Sequence, residues 1–271
     1  TRQHVPRFDG HLTIEADHCV VVGDVHVPTT DWGFAARVAQ VAEDNMPKGE
    51  RVLIIAGDLL NVDALSKYDH LIPPIPLMQE LNAARELVSH WLTVFDRIYV
   101  STGNHDDRVL KATRGELTFS DLWQMISNSE RVTVTPYPHT TLISSGEEWH
   151  VTHPANYSKN QLKNASELAA KHRRNVIAWH EHHAAVGRDL YNHQTVINGG
   201  GLFDPDSLAY VMLRDSTSAR MKQGFVYVCE GTAHLLTPYS SMTDWRLWTK
   251  RRKVVDFPQD ESDENAEDEA A

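Results

Sequence analysis

Apolar runs of about five residues alternate with segments of helical periodicity in the first hundred positions of the chain. Large apolar side chains recur at steps of three and four over residues 77–95, which predicts one buried face of an α-helix, and residues 31–43 show the same spacing. Runs rich in Val, Leu and Ile lie around these segments and are predicted to be strands: 19–23, 51–57 and 97–102. This order predicts parallel strands joined by right-handed helical crossovers.

The chain after residue 130 is richer in short strand-like runs than the first half. One helix is predicted over 159–173, among strands at 131–135, 140–144, 149–152, 175–179, 195–197, 225–229 and 234–237. Two stacked mixed sheets with helices outside account for both halves. The predicted fold is therefore a four-layer α/β/β/α sandwich, with strand ends converging at one ligand-binding edge.

Composition narrows the class of protein. A chain of 271 residues with 41% hydrophobic residues can bury a sizeable core, and we predict a single domain over residues 1–250. No apolar run reaches the roughly 18 residues of a membrane helix, so no membrane partner is expected. The two cysteines lie in apolar runs and are predicted to be buried free thiols, which favours a cytoplasmic location.

The net charge of −11 is concentrated at the end of the chain, where residues 256–271 contain eight acidic residues and no basic one. We predict that residues 251–271 form a disordered acidic tail, which leaves the rest of the chain nearly neutral. A basic stretch with two tryptophans, residues 245–253, precedes the tail. It could contact phosphate groups or simply end a C-terminal helix.

Polar residues of a few types follow the predicted strands in an ordered series. The series consists of Asp24-Val25-His26, Gly57-Asp58-Leu59-Leu60-Asn61, Gly103-Asn104-His105-Asp106, His153 and His180-Glu181-His182. Each element alone has an ordinary explanation as a turn, a helix cap or a surface histidine. Their joint occurrence, in order and mostly at strand ends, favours a shared site.

The chemistry of this set favours two metal ions. Mixed carboxylate, amide and imidazole donors suit Mn, Fe, Zn or Co better than Mg or Ca. Two such ions about 3.5–4 Å apart can clamp a phosphoryl group and lower the pKa of a shared water, whose hydroxide attacks phosphorus in line. The leaving oxygen then needs a proton, and His105 is the best-placed general acid, with Asn61 or Asp106 as its orienting partner.

These residues resemble the calcineurin-like metallophosphoesterase family, whose pattern is D-x-H, G-D-x-x-[DN], G-N-H-[DE], a lone His and G-H-x-H. The resemblance covers roughly residues 20–197 and extends weakly over 225–236. It implies the sandwich fold, His105 as catalytic histidine and Asn61 as the residue that orients it. It also implies two divalent metal ions, with Mn as the first choice and Fe, Zn, Co or Ni as alternatives. One ion would be held by Asp24, His26, Asp58 and His182, and the other by Asp58, Asn104, His153 and His180.

One position departs from the family pattern. Trp179 stands where the last motif usually begins with glycine. A tryptophan there needs space or a different backbone angle, and His183 is a substitute for His182 in the ligand set. The segment 221–224 is interpreted as a turn into a strand. The other histidines are interpreted as structural or exposed, among them His11, His139, His150 and His172.

The substrate expected from this pattern is a phosphodiester, either of a nucleotide or at a nucleic-acid end. The Asp-Arg pair of the family's protein phosphatases is replaced by Asn61-Val62, which argues against a phosphoprotein phosphatase. A phosphomonoesterase and a metal-binding scaffold without activity are the alternatives. Weaker candidates for substrate contact are Asn104, Arg108 and two residues of the long loop 62–76, Tyr68 and His70, for which a solvated loop is the competing interpretation. The sequence leaves the oligomeric state open.

Overall fold

The computed structural model describes residues 11–66, 73–208 and 220–238. Their strands are β1 (Thr13–Glu15), β2 (His18–Val22), β3 (Val52–Ala56), β4 (Arg97–Ser101), β5 (Val132–Thr135), β6 (His139–Ser144), β7 (Glu147–Thr152), β8 (Asn175–Ala178), β9 (Ala184–Arg188), β10 (Thr195–Gly199), β11 (Phe225–Cys229) and β12 (Thr232–Leu236). The helices are α1 (Trp32–Asn45), α2 (Leu77–Val94), α3 (Asp106–Ala112), α4 (Phe119–Gln124) and α5 (Lys163–His172).

The strands form two mixed sheets of six. Sheet I has the order β12-β11-β2-β3-β4-β5, and sheet II has the order β1-β6-β7-β8-β10-β9. Strands β2, β3, β4 and β5 run parallel, as do β7, β8 and β10. The carboxyl ends of β2, β3 and β4 therefore lie side by side in sheet I, and those of β7 and β8 do so in sheet II.

Apolar side chains fill three layers between these elements. One layer joins sheet I to α1, α2, α3 and α4 and includes Trp91 and Phe95. The second lies between the sheets and includes Ile54, Trp149 and Trp179, and a smaller one lies between α5 and sheet II. The predicted four-layer α/β/β/α sandwich is confirmed.

Four short elements were not predicted: β1, β9, α3 and α4. Strand β9 has the sequence Ala-Ala-Val-Gly-Arg and lies at a sheet edge, where no residue of the strand is fully buried, so the apolar pattern of a core strand is missing. The predicted helix over 159–173 begins only at Lys163, because Leu162 has a left-handed φ of 63°.

Several predictions fall outside the described residues, namely those on Tyr68, His70, the basic stretch 245–253 and the acidic tail 251–271. Within the described residues, no helix combines the length and apolar character needed to cross a membrane. Cys19 is buried and Cys229 is partly buried, and both are free thiols.

Candidate active site

The two sheets bring the strand-end motifs to one edge of the sandwich. Asp24 follows β2, Asp58 follows β3 and Asn104 follows β4 in sheet I, while His153 follows β7 and His180 follows β8 in sheet II. A direct contact joins the two sheets here, since the main-chain N–H of His180 donates to Asp24 Oδ2 at 2.7 Å. Residues far apart in sequence therefore share one site.

Five of the predicted ligands have left-handed backbone conformations. The φ angles are 47° at Asp24, 52° at His26, 53° at Asp58, 78° at His180 and 55° at His182. Residues with a Cβ adopt this region at a cost of about 1–3 kcal/mol each, and the surrounding structure must hold them there. Such concentration of strain at one strand edge is typical of functional sites.

Two glycines allow the ends of β3 and β4 to approach each other. A Cβ on Gly103 would lie 2.1 Å from Asp58 Oδ1, and a Cβ on Gly57 would lie 2.8 Å from His153 Nδ1. Gly57 also has a φ of 81°, a conformation that glycine adopts without steric cost. Gly103 therefore provides the space that the Asp58 carboxylate occupies, and Gly57 provides space for the His153 ring and the main chain of Gly103.

The side chains form two adjacent groups of converging donor atoms. In the first group, His182 Nε2 lies 3.3 Å from Asp24 Oδ1 and 3.2 Å from His26 Nε2. In the second, His153 Nε2 lies 3.2 Å from Asp58 Oδ2 and 2.9 Å from Asn104 Oδ1. The ligand atoms of Asp58, His153 and His180 all lie within 4.8 Å of one another, as do those of Asp58, His26 and His105. Asp58 thus lies between the two groups.

Each aspartate uses one oxygen to hold the main chain and directs the other at imidazole nitrogens. Asp24 Oδ2 accepts from His180 N, and Asp58 Oδ1 accepts from His105 N at 2.7 Å. The other oxygens, Asp24 Oδ1 and Asp58 Oδ2, are buried and accept no hydrogen bond. Buried polar atoms without a partner are costly, and divalent cations would satisfy both. The residues present therefore fit a pair of metal ions with mixed oxygen and nitrogen ligands.

A further layer of contacts orients these ligands. The Nδ1 atom of His153 lies 3.1 Å from the carbonyl of Ala56 and donates to it, which turns Nε2 toward Asp58. The Asp106 carboxylate accepts from the main-chain N–H groups of Asp58 at 2.9 Å and Gly103 at 3.0 Å. Asp106 therefore holds the two loops together and makes none of its hydrogen bonds to the His105 ring.

His105 lies beside both groups of ligands, with Nε2 at 3.9 Å from Asp58 Oδ2. Its Nδ1 lies 2.5 Å from the main-chain carbonyl of Asn61 and donates to it. The Asn61 side chain instead donates to Asp63 at 3.0 Å, so the contact that orients His105 comes from the backbone of Asn61. Arg108 Nη2 lies 2.9 Å from His105 Nε2 and donates to it.

Charges in this buried site shift the pKa values of its members. Burial lowers the pKa of His105 to about 3 and that of His180 to about 4. Burial also opposes a positive charge on His153, but the Asp58 carboxylate outweighs it and raises the pKa of His153. In the same way, burial opposes ionisation of Asp24, but His182 holds the pKa of Asp24 well below its usual range. Asp24 is therefore anionic and His180 neutral, the forms that bind cations, whereas His153 would give up its proton when a cation takes the place of that proton beside Asp58.

Trp179 is accommodated by two glycines, one on each sheet. A Cβ on Gly23 would lie 2.6 Å from Trp179 Cδ2, and a Cβ on Gly199 would lie 2.3 Å from Trp179 Cη2. The indole is 1% exposed and fills the space between the sheets. The space that the family pattern usually provides with a glycine at this position is here provided by Gly23 and Gly199.

The two neighbouring histidines of the last motif have different surroundings. His182 faces Asp24, whereas His183 Nε2 lies 3.2 Å from the carbonyl of Ser158. Glu181 accepts from Asn164 at 2.7 Å and from Asn198 at 3.0 Å, which fixes this loop to α5 and β10. The geometry therefore favours His182 over His183 as a ligand.

Two site residues were missed by the sequence analysis. Phe203, fully buried, packs its ring 4.7 Å from that of His182, and Met221 Sδ lies 3.2 Å from His182 Nδ1. The segment 221–224 was interpreted only as a turn. The glycine run 199–201 before Phe203 was the only signal in the sequence that the chain returns to the site here.

Comparison with known proteins places these observations in a family. Similar solved structures include Vps29 from Entamoeba histolytica (9% identity, 81% of this chain and 97% of that chain, TM-score 0.41). A predicted phosphoesterase from Streptococcus pneumoniae is also similar (12% identity, 82% of this chain and 97% of that chain, TM-score 0.36). So is a cold-active protein-tyrosine phosphatase from Shewanella (10% identity, 83% of this chain and 82% of that chain, TM-score 0.37). Comparison with curated protein sequences gives no match. The sequence pattern of the calcineurin-like phosphoesterases matches residues 18–219, and the chain therefore belongs to the calcineurin-like phosphoesterase family.

Proposed function

We propose that this protein is a phosphodiesterase that depends on two divalent metal ions, Mn²⁺ first, and acts on nucleotide or nucleic-acid phosphodiesters. The observation that carries the proposal is the pair of adjacent donor groups with Asp58 between them and a buried oxygen without a hydrogen bond on each aspartate. One ion would be held by Asp24, His26, Asp58 and His182. The other would be held by Asp58, Asn104, His153 and His180. Such a pair would polarise the phosphoryl oxygens and acidify a water between the ions.

The protein's own residues then have defined tasks. The left-handed conformations and the hydrogen bonds of Asp24 and Asp58 fix the carboxylates before substrate binds, so little reorganisation is needed during the reaction. His105 would supply the proton to the leaving oxygen from Nε2, while Nδ1 stays on the carbonyl of Asn61. The pKa of about 3 belongs to the site with Arg108 against Nε2, and the negative charge of a bound phosphate would raise this pKa so that Nε2 carries a proton. Arg108, whose guanidinium touches that same Nε2 atom, would have to turn toward a phosphate oxygen when substrate enters.

Diester specificity is supported by the limited positive charge around His105. A phosphomonoester dianion is usually bound by additional arginine side chains in bidentate geometry. In this site Arg108 is already engaged by the carbonyl of Asn61 at 3.2 Å and by Asp63 Oδ1 at 3.5 Å. A phosphodiester carries only one negative charge and therefore needs fewer contacts from Arg108.

Hydrolysis of bis-p-nitrophenyl phosphate and p-nitrophenyl phosphate by the chelated and Mn²⁺-reloaded protein tests this proposal. We expect the diester to be cleaved faster, and His105→Ala to lower kcat at least 100-fold with its metal content unchanged. His193→Ala, at a histidine outside the site, is the control. Faster cleavage of the monoester would favour the phosphatase alternative. Absence of turnover from a protein that binds two metal ions would favour the scaffold.

A further inference from the structure

The peptide group between Asn61 and Val62 links His105 to helix α2. Its carbonyl oxygen accepts from His105 Nδ1 at 2.5 Å and from Arg108 Nη1 at 3.2 Å. Its N–H donates to Glu80 Oε2 at 2.6 Å. The bond is trans, so the carbonyl and the N–H lie in one plane and point in opposite directions. A contact that fixes the N–H on Glu80 therefore also fixes the direction of the carbonyl that holds the His105 ring.

Glu80 lies on the buried face of α2, where the helical spacing favours an apolar residue. It is 1% exposed, and it precedes the fully buried Ala84 and Leu87 by one and two helical turns. Burial of a carboxyl group in such surroundings is costly unless its oxygens accept hydrogen bonds. Burial raises the pKa of Glu80 to about 7, and a carboxyl group accepts a hydrogen bond from a main-chain N–H in either protonation state.

Val62 has a backbone conformation that is unfavourable for valine. Its φ of 51° and ψ of 40° are left-handed, which is an outlier for a residue with a branched Cβ. The preceding N–H of Asn61 is bound to the carbonyl of Val27 at 3.1 Å, so the chain before this peptide group is fixed. Reversal of the peptide group would return φ of Val62 to negative values and turn the Asn61 carbonyl away from His105. The hydrogen bond to Glu80 opposes this reversal.

We propose that Glu80 is a positioning residue for the general acid, because its carboxyl group holds the Asn61–Val62 peptide group with the carbonyl toward His105. The inference rests on the proposed function, in which His105 gives a proton to the leaving oxygen from Nε2. The hydrogen bond at Nδ1 selects the ring orientation in which Nε2 faces the donor groups. Glu80 belongs to neither donor group and acts on the reaction through the ring alone.

The test compares variants of Glu80 in the full chain reloaded with Mn²⁺, with bis-p-nitrophenyl phosphate as substrate. Glu80→Met keeps the length of the side chain and removes both oxygens, and Glu80→Ala is a smaller second variant. We expect each to lower kcat by about tenfold or more. Glu80→Gln keeps an oxygen that can accept from the Val62 N–H and should retain about a third or more of the wild-type kcat. Glu86→Ala, at an exposed position of α2, is the matched control and should leave kcat unchanged.

Two readouts separate the positioning of His105 from a general loss of structure. In the His105→Ala background, Glu80→Met should lower kcat by less than about twofold, because the ring on which Glu80 acts is absent. Nitrogen-15 NMR of the histidine rings in the Zn²⁺-loaded full chain should show His105 protonated at Nδ1 in wild type and in Glu80→Gln. In Glu80→Met a share of the rings should carry the proton at Nε2 instead. The His105 signals are assigned by their absence from His105→Ala.

A wild-type kcat in both Glu80→Met and Glu80→Ala would overturn the proposal. An equal factor of loss in the wild-type and His105→Ala backgrounds would also overturn it, as would a His105 ring whose protonated nitrogen is the same in every variant. If His105→Ala itself keeps the wild-type rate, the proposed function fails instead. The NMR spectra require no turnover, so in that case they alone decide whether Glu80 positions the ring.

Discussion

The fit of Trp179 between Gly23 and Gly199 predicts a strong steric penalty for a single added methyl group. In Gly199→Ala the new Cβ would lie 2.3 Å from Cη2 and 2.5 Å from Cζ2 of the indole. Both contacts are far inside van der Waals distance, and the indole is enclosed by core residues. Overpacking of this kind costs about 1–3 kcal/mol, so we expect Gly199→Ala to lose about 2 kcal/mol of unfolding free energy.

A double-mutant cycle separates this contact from other effects of the substitution. Trp179→Leu alone leaves a cavity and should cost on the order of 3 kcal/mol. In the Trp179→Leu background the methyl group added at position 199 enters that cavity, so the cost of Gly199→Ala should fall close to zero. We expect a coupling free energy of about 1–2 kcal/mol, within the range measured for residues in contact.

Urea denaturation followed by circular dichroism measures each corner of the cycle, and thermal melts should show a fall in Tm of about 4–8 °C for Gly199→Ala. Because Trp179 precedes His180, displacement of the indole should also weaken metal binding. Gly33→Ala is the control, since its Cβ would meet only Asp31 Oδ1 at 3.4 Å and alanine stabilises a helix by about 0.5–1 kcal/mol. Additive free energies, with a coupling below about 0.3 kcal/mol, would refute this account of Trp179.

Three further changes test other parts of the structure. Asp106→Ala removes the acceptor of two buried N–H groups. It should lower the unfolding free energy by about 3 kcal/mol in a urea titration and lower metal affinity at least tenfold in a competition titration. Unchanged metal affinity would contradict the role of Asp106 in holding the two loops. Arg108→Ala removes the cation 2.9 Å from His105. It should raise the pKa of His105 in the free enzyme and move the high-pH limb of the kcat/KM profile to higher pH, whereas an unchanged profile would argue against the contact. Burial raises the pKa of Glu80 from 4.5 to about 7. Both the folded and the unfolded chain are protonated at Glu80 below about pH 4.5, and the folded protein loses stability between about pH 4.5 and 7, because burial opposes ionisation of this carboxyl. The unfolding free energy of Glu80→Gln should therefore equal that of the metal-free wild type near pH 4 and exceed it by up to roughly 3 kcal/mol at pH 8. A difference in unfolding free energy that does not change with pH would contradict the raised pKa of Glu80.

The sequence predicted the elements whose burial is regular. Helix α2 and strands β3 and β4 have one apolar face or a fully apolar run, and they were located to within a residue or two. Strands β1 and β9 are short and lie at the two edges of sheet II, where side chains contact solvent and the choice of residue is less constrained. Their position follows from pairing with β6 and β10, which no local pattern reveals.

The candidate site shows the same division between local and long-range information. The positions of Asp24, Asp58 and Asn104 after strands were visible in the sequence, because a strand and its following turn are local features. The role of Asn61 was predicted through its side chain, whereas its main-chain carbonyl contacts His105, and any residue there would present that carbonyl. Such a backbone contact leaves no residue preference to detect. The approach of the Phe203 ring to His182 depends on how the loops pack, and the glycine run before Phe203 is its only trace in the sequence.

The distribution of glycine and tryptophan around the last motif is the most informative departure from the family pattern. A tryptophan can take the place of the glycine before the ligand pair if the residues that face this position are correspondingly small. Gly23 directly follows β2 and Gly199 ends β10, so the compensation comes from both sheets and from positions 156 and 20 residues away from Trp179. Of the glycines over 199–201, only Gly199 faces the indole, whereas Gly200 faces the main chain of residues 222–224 and Gly201 faces Phe203 and the Asp24 carbonyl. The glycine at 199 and the missing glycine at 179 therefore have one cause, the volume of a single indole. The position of that indole, fixed between the sheets, then determines the start of the loop that carries His180 and His182.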